Sequence, residues 1–356
     1  MTAMPTPSGG RVAGWLLAMA AALGGGGADA GPPAPKRTDL VIDLPAAGDL
    51  AAPANGQTLY VLDESRGGVV AIDPFDPSKR WTALAERPAA DGAVEAVAIG
   101  CIDTGMLAVV GRGRDDWSLR THRLQPNTAS DPASPAQTVS LGRSGGRPPA
   151  AGDGAGPCLA VSPSRDWLGI GGLPAPLPAV VRAPIAGSRI GPVTSRGGPE
   201  LAGGIRPRAI TISTSEELVL FASGAAPSPT LFVAYQRPPD PRLLLHLDTG
   251  LPRIRDAAFC RADGTLWVVG GGGGGGDAAA AADRTPEGLW RIDAVLRNGR
   301  QAAEAVCVAP LPGARAVVCL SEKAIIVTHG REARKVSRFD ASTPGTQPGA
   351  TPGTQP

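Results

Sequence analysis

Strong charge of one sign, histidine and aromatic side chains are all scarce in this sequence of 356 residues. Its 34 Lys and Arg residues nearly balance its 32 Asp and Glu residues, which leaves a formal charge of +2. This balance excludes a dedicated nucleic-acid binder, which usually carries a strong basic excess. Beyond the N-terminal segment, no uninterrupted apolar run reaches the 18 or so residues that a membrane-spanning helix needs. We therefore expect no transmembrane segment in the mature chain.

The common catalytic and metal-binding motifs are missing as well. No H-E-x-x-H, G-x-S-x-G or Walker-type phosphate loop occurs. The three histidines, His122, His246 and His329, fall at different positions of the repeat described below, so we do not expect them to converge. We therefore expect no catalytic group, no metal site and no cofactor.

The five cysteines contain no C-x-x-C pair, which excludes a thioredoxin motif and gives a zinc site no support. We expect small buried thiols, because cysteine often packs as a small hydrophobic residue. A disulfide between Cys260 and Cys319, which the repeat places in neighbouring units, is the alternative.

Glycine and proline, by contrast, are abundant, with 49 and 37 residues. Both destabilise helices, which argues against a helical bundle. The N-terminus has the pattern of an export signal: Arg11, then the apolar run Val12–Leu23, then the small-residue site Ala28-Asp29-Ala30. We expect a signal peptide over 1–30, cleavage near Ala30 and a location in the periplasm, cell envelope or medium. A Pro-rich linker follows over 31–37.

A repeat is present despite poor sequence identity. Its units share an apolar strand, a short polar turn and a second apolar strand, which opens at one landmark residue: Leu59, Leu107, Leu168, Leu218, Leu266 and Ile325. The position ten residues earlier is Asp49 or Asp256 in two units and Arg208 or Arg315 in two others. After allowance for insertions at 124–158 and 270–283, the period is about 48 residues, within the range of a propeller blade.

Further apolar segments supply a third strand, as in 68–73, 288–293 and 335–340, and a fourth, as in 81–84, 138–141, 242–247 and 303–308. Four strands per unit are typical of a β-propeller. On these features the chain resembles the exported bacterial β-propeller superfamily, which has YVTN-type and tryptophan–aspartate-repeat relatives.

We expect an all-β, six-bladed propeller over 38–341. The strand Leu40–Leu44 has no unit of its own and is expected to complete the last blade, which hides an open sheet edge. The tail 342–356 repeats TPGTQP without charge or large apolar residues, so we expect disorder. The glycine-rich insertion 270–283 is expected to be a flexible segment.

Arginines gather where the chain enters the first strands, at Arg206, Arg208, Arg253, Arg255 and Arg315. The resemblance to exported propellers implies that the ligand binds at the face formed by the loops that enter the first strands. Arginine's planar guanidinium group suits carboxylates and phosphates. An anionic ligand at the channel mouth is therefore one hypothesis. The other is that acidic residues on the same face, among them Asp49, Glu64, Glu95 and Asp256, turn these arginines into ion pairs and a solvated rim.

From these patterns we expect a non-enzymatic, monomeric scaffold whose loop face binds a protein, a glycan or a small anion. One alternative is a propeller hydrolase or lyase with its site at the channel mouth, and another is a structural component of the cell envelope. Six-bladed lactonases hold a divalent metal with Glu, Asn and Asp in the channel. Here the channel strands carry mainly Ala, Val, Ile, Ser and Thr, so no such metal site is expected.

Overall fold

The structure is a computed structural model, and it describes much of the chain between residues 35 and 340. The described residues are 35–40, 42, 44–85, 94–125, 130, 135–143, 156–196, 207–216, 218–223, 229–235, 242–251, 253–261, 264–271, 285–297, 300–320, 324–330 and 334–340. The expected signal peptide, the tail, most of the glycine-rich insertion and Arg206 lie outside them.

The described strands form six antiparallel sheets, numbered here in chain order. The N-terminal strand is β1, Arg37–Leu40. Sheet 1 contains β2 Ala47–Ala51, β3 Leu59–Asp63, β4 Gly68–Ile72 and β5 Arg80–Leu84. Sheet 2 contains β6 Glu95–Asp103, β7 Met106–Arg112, β8 Asp116–Arg123 and β9 Gln137–Arg143. Sheet 3 contains β10 Cys158–Val161, β11 Trp167–Gly171, β12 Val180–Ala186, β13 Arg189–Ile190 and β14 Thr194–Arg196.

The remaining sheets follow the same order of strands. Sheet 4 contains β15 Pro207–Ile212, β16 Leu218–Ser223, β17 Pro229–Tyr235 and β18 Arg242–Asp248. Sheet 5 contains β19 Ile254–Phe259, β20 Leu266–Gly270, β21 Gly288–Arg297 and β22 Arg300–Pro310. Sheet 6 contains β23 Ala316–Cys319, β24 Ala324–His329 and β25 Lys335–Asp340, with β1 paired to β25 at its outer edge.

The first strands of the sheets surround a central channel. Each contacts the next in the order β2, β6, β10, β15, β19 and β23, and β23 returns to β2. Apolar side chains fill the space between neighbouring sheets, as where Leu59 and Val61 of sheet 1 share a core with Ile326 and Val336 of sheet 6. The fold is therefore an all-β propeller.

The repeat register is confirmed, because all six landmark residues lie at or next to the start of a second strand. The second strands β3, β11, β20 and β24 are buried along their whole length. Packing between two sheets buries both faces of such a strand, which explains the absence of a clear apolar–polar alternation in the sequence.

The N-terminal strand differs from its predicted position. The apolar run Leu40–Leu44 was expected to pair, but the strand is Arg37–Leu40, and Arg37 lies opposite Phe339. Leu40, Ile42 and Leu44 instead pack into the core shared by sheets 1 and 6. Ile42 and Leu44 fill that core, whereas Arg37 to Leu40 supply the ladder. No helix among the described residues is long and apolar enough to cross a membrane.

Candidate functional site

Two connected spaces run along the axis of the ring. The channel, between the first strands, has a volume of about 130 Å³. At one end it opens into a wider cavity of about 470 Å³. Five arginines line this cavity, which we call the arginine mouth: Arg112, Arg208, Arg253, Arg255 and Arg315. Asp49 and Asp256 line both spaces and therefore stand where the mouth meets the channel.

The structure brings together four of the five arginines expected from the sequence, Arg208, Arg253, Arg255 and Arg315. Local irregularities in the first strands position two of them. The pairing of β15 with β16 skips Arg208, and the pairing of β19 with β20 skips Arg255. A β-bulge of this kind redirects a side chain at the rim of a ring. In a regular strand, neighbouring side chains point to opposite faces of the sheet. The bulge interrupts this alternation, so the arginine side chain can reach the cavity.

Several guanidinium groups at the mouth are held by carboxylates. Arg255 Nη2 lies 2.8 Å from Glu287 Oε1, and its Nη1 donates to the carbonyl oxygen of Ala314 at 2.8 Å. Arg315 Nη1 lies 2.6 Å from Glu64 Oε2, and Arg112 pairs with Glu95. Arg112, Arg255 and Arg315 therefore form ion pairs with acidic residues. These pairs hold the three guanidinium groups in place around an open cavity.

Asp49 and Asp256 bond to backbone N–H groups rather than to the arginines. Ile99 donates its N–H to Asp49 Oδ2 at 2.8 Å, and Val317 donates its N–H to Asp256 Oδ2 at 2.8 Å. In both cases the donor belongs to the first strand of the next sheet, eight residues before its landmark. Asp49 Oδ1 also accepts the N–H of Leu50 at 2.8 Å. Each carboxyl group therefore ties two neighbouring sheets together and remains at the channel wall.

These two carboxyl groups hold protons more tightly than ordinary aspartates. Burial raises the pKa of Asp49 to about 7, with a smaller contribution from Glu64, while the backbone N–H bonds oppose the shift. Burial and the charge of Asp49 raise the pKa of Asp256 well above its usual range. A carboxyl group that titrates near neutral pH can both accept and return a proton under physiological conditions.

Sequence reasoning placed Asp49 and Asp256 on the loop face as ion-pair partners of arginines. Both line the arginine mouth, but their bonds go to backbone N–H groups instead. Their signal was nevertheless present, since both stand ten residues before a landmark. Glu287 was missed because it lies just after the glycine-rich insertion and is brought to Arg255 by the pairing of β20 with both β19 and β21. Its Oε2 also accepts the N–H of Gly313 at 2.6 Å.

The donor groups do not make a metal centre of the lactonase kind. Within the described part of the chain, no three His, Cys, Asp or Glu side chains lie close enough to hold one metal ion. Asp49 and Asp256 already accept backbone N–H bonds. We therefore derive no metal-dependent step.

The histidines lie on β8, β18 and β24, in three different sheets. All five cysteines are free thiols, Cys101 and Cys260 being buried and Cys307 exposed. Burial, with a smaller contribution from the charge of Asp103, raises the pKa of Cys101 to about 12. Its thiol therefore stays protonated at neutral pH. Cys158 lines the arginine mouth, and Cys101 and Cys319 line the channel.

Comparison with solved structures supports the propeller fold. A gluconolactonase from Xanthomonas campestris has a TM-score of 0.52 at 15% identity, over 87% of this chain and 90% of its own. A glucose dehydrogenase has a TM-score of 0.54 at 12% identity, over 86% and 100%. The Malassezia sympodialis allergen Mala s 1 has a TM-score of 0.53 at 16% identity, over 86% and 95%. No family model and no curated protein sequence matches.

At these identities the likeness establishes the shared fold. Propellers of similar structure include the gluconolactonase and the glucose dehydrogenase, both enzymes by name. This finding corrects the expectation of a non-enzymatic scaffold and favours the alternative of a propeller enzyme.

Proposed function

We propose that this chain is a propeller enzyme, a hydrolase or a lyase, whose site is the arginine mouth. The observation that carries the proposal is the position of Asp49 and Asp256, two carboxyl groups with raised pKa values at the floor of one cavity. Hydrolysis and elimination both need a group that takes up a proton and a group that returns one. Asp49 is the base in this proposal and Asp256 the acid.

In hydrolysis, the Asp49 carboxylate accepts a proton from a water molecule as the water oxygen bonds to the substrate's carbonyl carbon. The bond from that carbon to the leaving oxygen then breaks, and Asp256 gives its proton to the leaving oxygen. In elimination, Asp49 instead takes a proton from the carbon next to a carboxylate, and Asp256 protonates the oxygen that leaves. Arginines around the floor stabilise the negative charge that develops in either reaction.

The backbone bonds to these carboxyl groups support the assignment. A carboxyl oxygen has two lone pairs, so Asp49 Oδ2 can accept the Ile99 N–H and still face the cavity. The same bonds fix each carboxyl group relative to two sheets. Such rigid placement holds acid–base groups in the geometry that a reaction requires.

The test is a turnover screen with separate readouts for the two reactions. Lactones and carboxylic esters report hydrolysis by acid release, and uronate-containing sugars report elimination by the absorbance of the new double bond. We expect the wild-type protein to turn over one class and Asp49→Asn to lose at least about a hundredfold in kcat/KM, a typical contribution of a general base. Absence of turnover in both classes, or an equal rate in Asp49→Asn, contradicts the proposal.

Asp76→Asn is the matched control. Asp76 lies in the turn between β4 and β5, where its carboxylate lies 3.2 Å from Lys79 Nζ, far along the chain from either catalytic candidate. Like Asp49→Asn, this substitution replaces a carboxyl group by an amide, but on the protein's surface. We expect it to leave kcat/KM unchanged.

Finer features of the chain are also our proposals. We infer a six-bladed ring completed by the N-terminal strand, supported by the six sheets and by the pairing of β1 with β25. Export after cleavage near Ala30, a monomeric state and a YVTN-type or tryptophan–aspartate-repeat relationship rest on the sequence patterns. Mass spectrometry of the mature N-terminus after expression in a bacterial host tests the cleavage site.

A further inference from the structure

The arginine mouth is not uniform around its rim. The arginines expected from the sequence come from sheets 4, 5 and 6 and form one side, with Arg208 in β15, Arg253 and Arg255 at β19, and Arg315 before β23. We call this side the basic arc. Facing it in ring order are sheets 2 and 3. They contribute Trp117, Gly156, Pro157 and Pro174 to the lining, together with Arg112, whose charge is balanced by its ion pair with Glu95. We call this side the neutral arc.

The charges at the mouth favour an anion. Five arginines line it, against the carboxylates of Glu64 and Glu95 and the two carboxyl groups at the floor. Glu287 adds one more negative charge behind Arg255. Five arginines therefore face three glutamates, and the raised pKa values of Asp49 and Asp256 reduce the negative charge that these two groups add. A positive field inside a concave wall of low polarity concentrates anions there.

The size and shape of the cavity limit what kind of anion fits. A volume of about 470 Å³ is within the range of small-molecule sites and excludes a folded partner domain. Gly156 on the neutral arc has no atom within 4 Å of the place where a Cβ would be, so open space lies beside it. This space can hold an uncharged body while the basic arc holds an anionic group.

Resting on the proposed function, we infer that the substrate is a small organic acid bound in one orientation. Its carboxylate or phosphate lies against the basic arc, and its uncharged, hydroxylated or apolar body lies against the neutral arc. Arginine forks bind both kinds of oxyanion in a bidentate manner, so carboxylate and phosphate share the recognition chemistry. The reacting bond then lies over Asp49 and Asp256, between the two arcs.

The test uses three probes with a common body and different charge. Gluconate and glucose 6-phosphate carry a carboxylate and a phosphate, and glucose carries neither. We expect one or both acids to raise the unfolding temperature of the full-length protein, and glucose to leave it unchanged. The two acids distinguish the carboxylate source from the phosphate source. No shift with either acid, or an equal shift with glucose, overturns the inference.

Variants then test the basic arc. We expect Arg208→Gln and Arg253→Gln each to weaken binding of the acid by about tenfold or more, the loss of a charge-assisted contact. Arg80→Gln is the matched control, because Arg80 is exposed on the outer strand β5. The unfolding temperatures of the free variants show whether they fold. Equal affinity in all three folded variants overturns the inference.

The neutral arc is tested by filling it. Gly156→Leu places a side chain in the open space, so we expect weaker binding of the acid that binds the wild type and unchanged binding of inorganic phosphate, which has no body. Equal losses for both, or for neither, contradict the orientation. These binding results are independent of turnover. If the acid binds but neither reaction is catalysed, the inferred substrate class is retained and the proposed function is wrong. If a neutral lactone is turned over equally well by the arginine variants, the proposed function is retained and the inferred substrate class is wrong.

Discussion

The carboxyl group of Asp256 accepts the backbone N–H of Val317, in the first strand of the next sheet, at 2.8 Å. Asp49 makes the same bond to Ile99 at the same offset from its landmark. The repeat thus uses one aspartate position twice to join neighbouring sheets around the channel. Both joints carry a carboxyl group to the floor of the arginine mouth, which links the stability of the ring to the chemistry of the site.

The raised pKa of Asp49 makes the folded state less stable as pH rises. Between its ordinary value of 3.8 and about 7, the folded protein binds more protons than the unfolded chain, so the free energy of unfolding falls across that window. We expect Asp49→Asn to reduce this fall by a few kcal/mol at most, since one pKa unit corresponds to about 1.4 kcal/mol. Urea unfolding of both proteins at pH 4 to 8 measures it. Parallel curves contradict the assignment.

The N-terminal strand is held by a chain of hydrogen bonds that begins in the core and ends at Asp39. His329 Nε2 lies 2.7 Å from Ser337 Oγ, which donates to Asp39 Oδ1 at 2.5 Å. Ser337 is fully buried, so Ser337→Ala leaves polar neighbours without their partner. We expect a loss of about 1–3 kcal/mol in the free energy of unfolding. Faster hydrogen exchange of the β1 amides is the accompanying readout, and unchanged exchange would show that this contact does not hold the strand.

Acid weakens the same region. Burial lowers the pKa of His329 from 6.5 to about 4, and the nearby charge of Arg37 adds to the shift. The unfolded chain therefore binds more protons, and stability is lost as pH falls from about 6.5 to about 4. We expect His329→Gln, which can still donate to Ser337, to remove up to about 3 kcal/mol of this loss. Denaturant titrations at neutral and acid pH compare the two proteins; an equal acid loss in both argues against His329.

Two ion pairs at the arginine mouth should differ in their effect on stability. Glu64 and Arg315 are each more than 40% exposed, so Glu64→Ala should cost at most about 1 kcal/mol and less in high salt. Glu287 holds Arg255 and also accepts the N–H of Gly313, so Glu287→Ala should cost about 1–3 kcal/mol. Chemical unfolding at low and high salt measures both. A larger loss for Glu64→Ala would contradict this ranking.

Two glycines form a matched pair of substitutions. A Cβ on Gly270 would lie 2.1 Å from the carbonyl oxygen of Arg253, whereas one on Gly156 would meet nothing within 4 Å. We expect Gly270→Ala to lower the unfolding temperature and weaken binding of the acid by displacing the Arg253 backbone. Gly156→Ala should leave the unfolding temperature nearly unchanged. Thermal unfolding of the two variants tests this, and similar temperatures would contradict it.

The repeat made most strand positions and four of the arginines predictable. The landmark residues were recognisable because burial on both faces of the second strands leaves an apolar run at a constant spacing. The hydrogen bonds of Asp49 could not be predicted, because its partners are backbone N–H groups, which leave no mark in the sequence. The N-terminal strand is Arg37–Leu40 rather than Leu40–Leu44, because Ile42 and Leu44 fill a core.

The pH dependence of turnover tests the central claim most directly. With the substrate found in the screen, we expect kcat/KM of the wild-type protein to rise about tenfold per pH unit up to about pH 7 and then level, as Asp49 loses its proton. Asp49→Asn should lose both the rise and most of the rate, while Asp76→Asn should keep them. A wild-type profile without a titration near pH 7, or one unchanged in Asp49→Asn, would contradict the account.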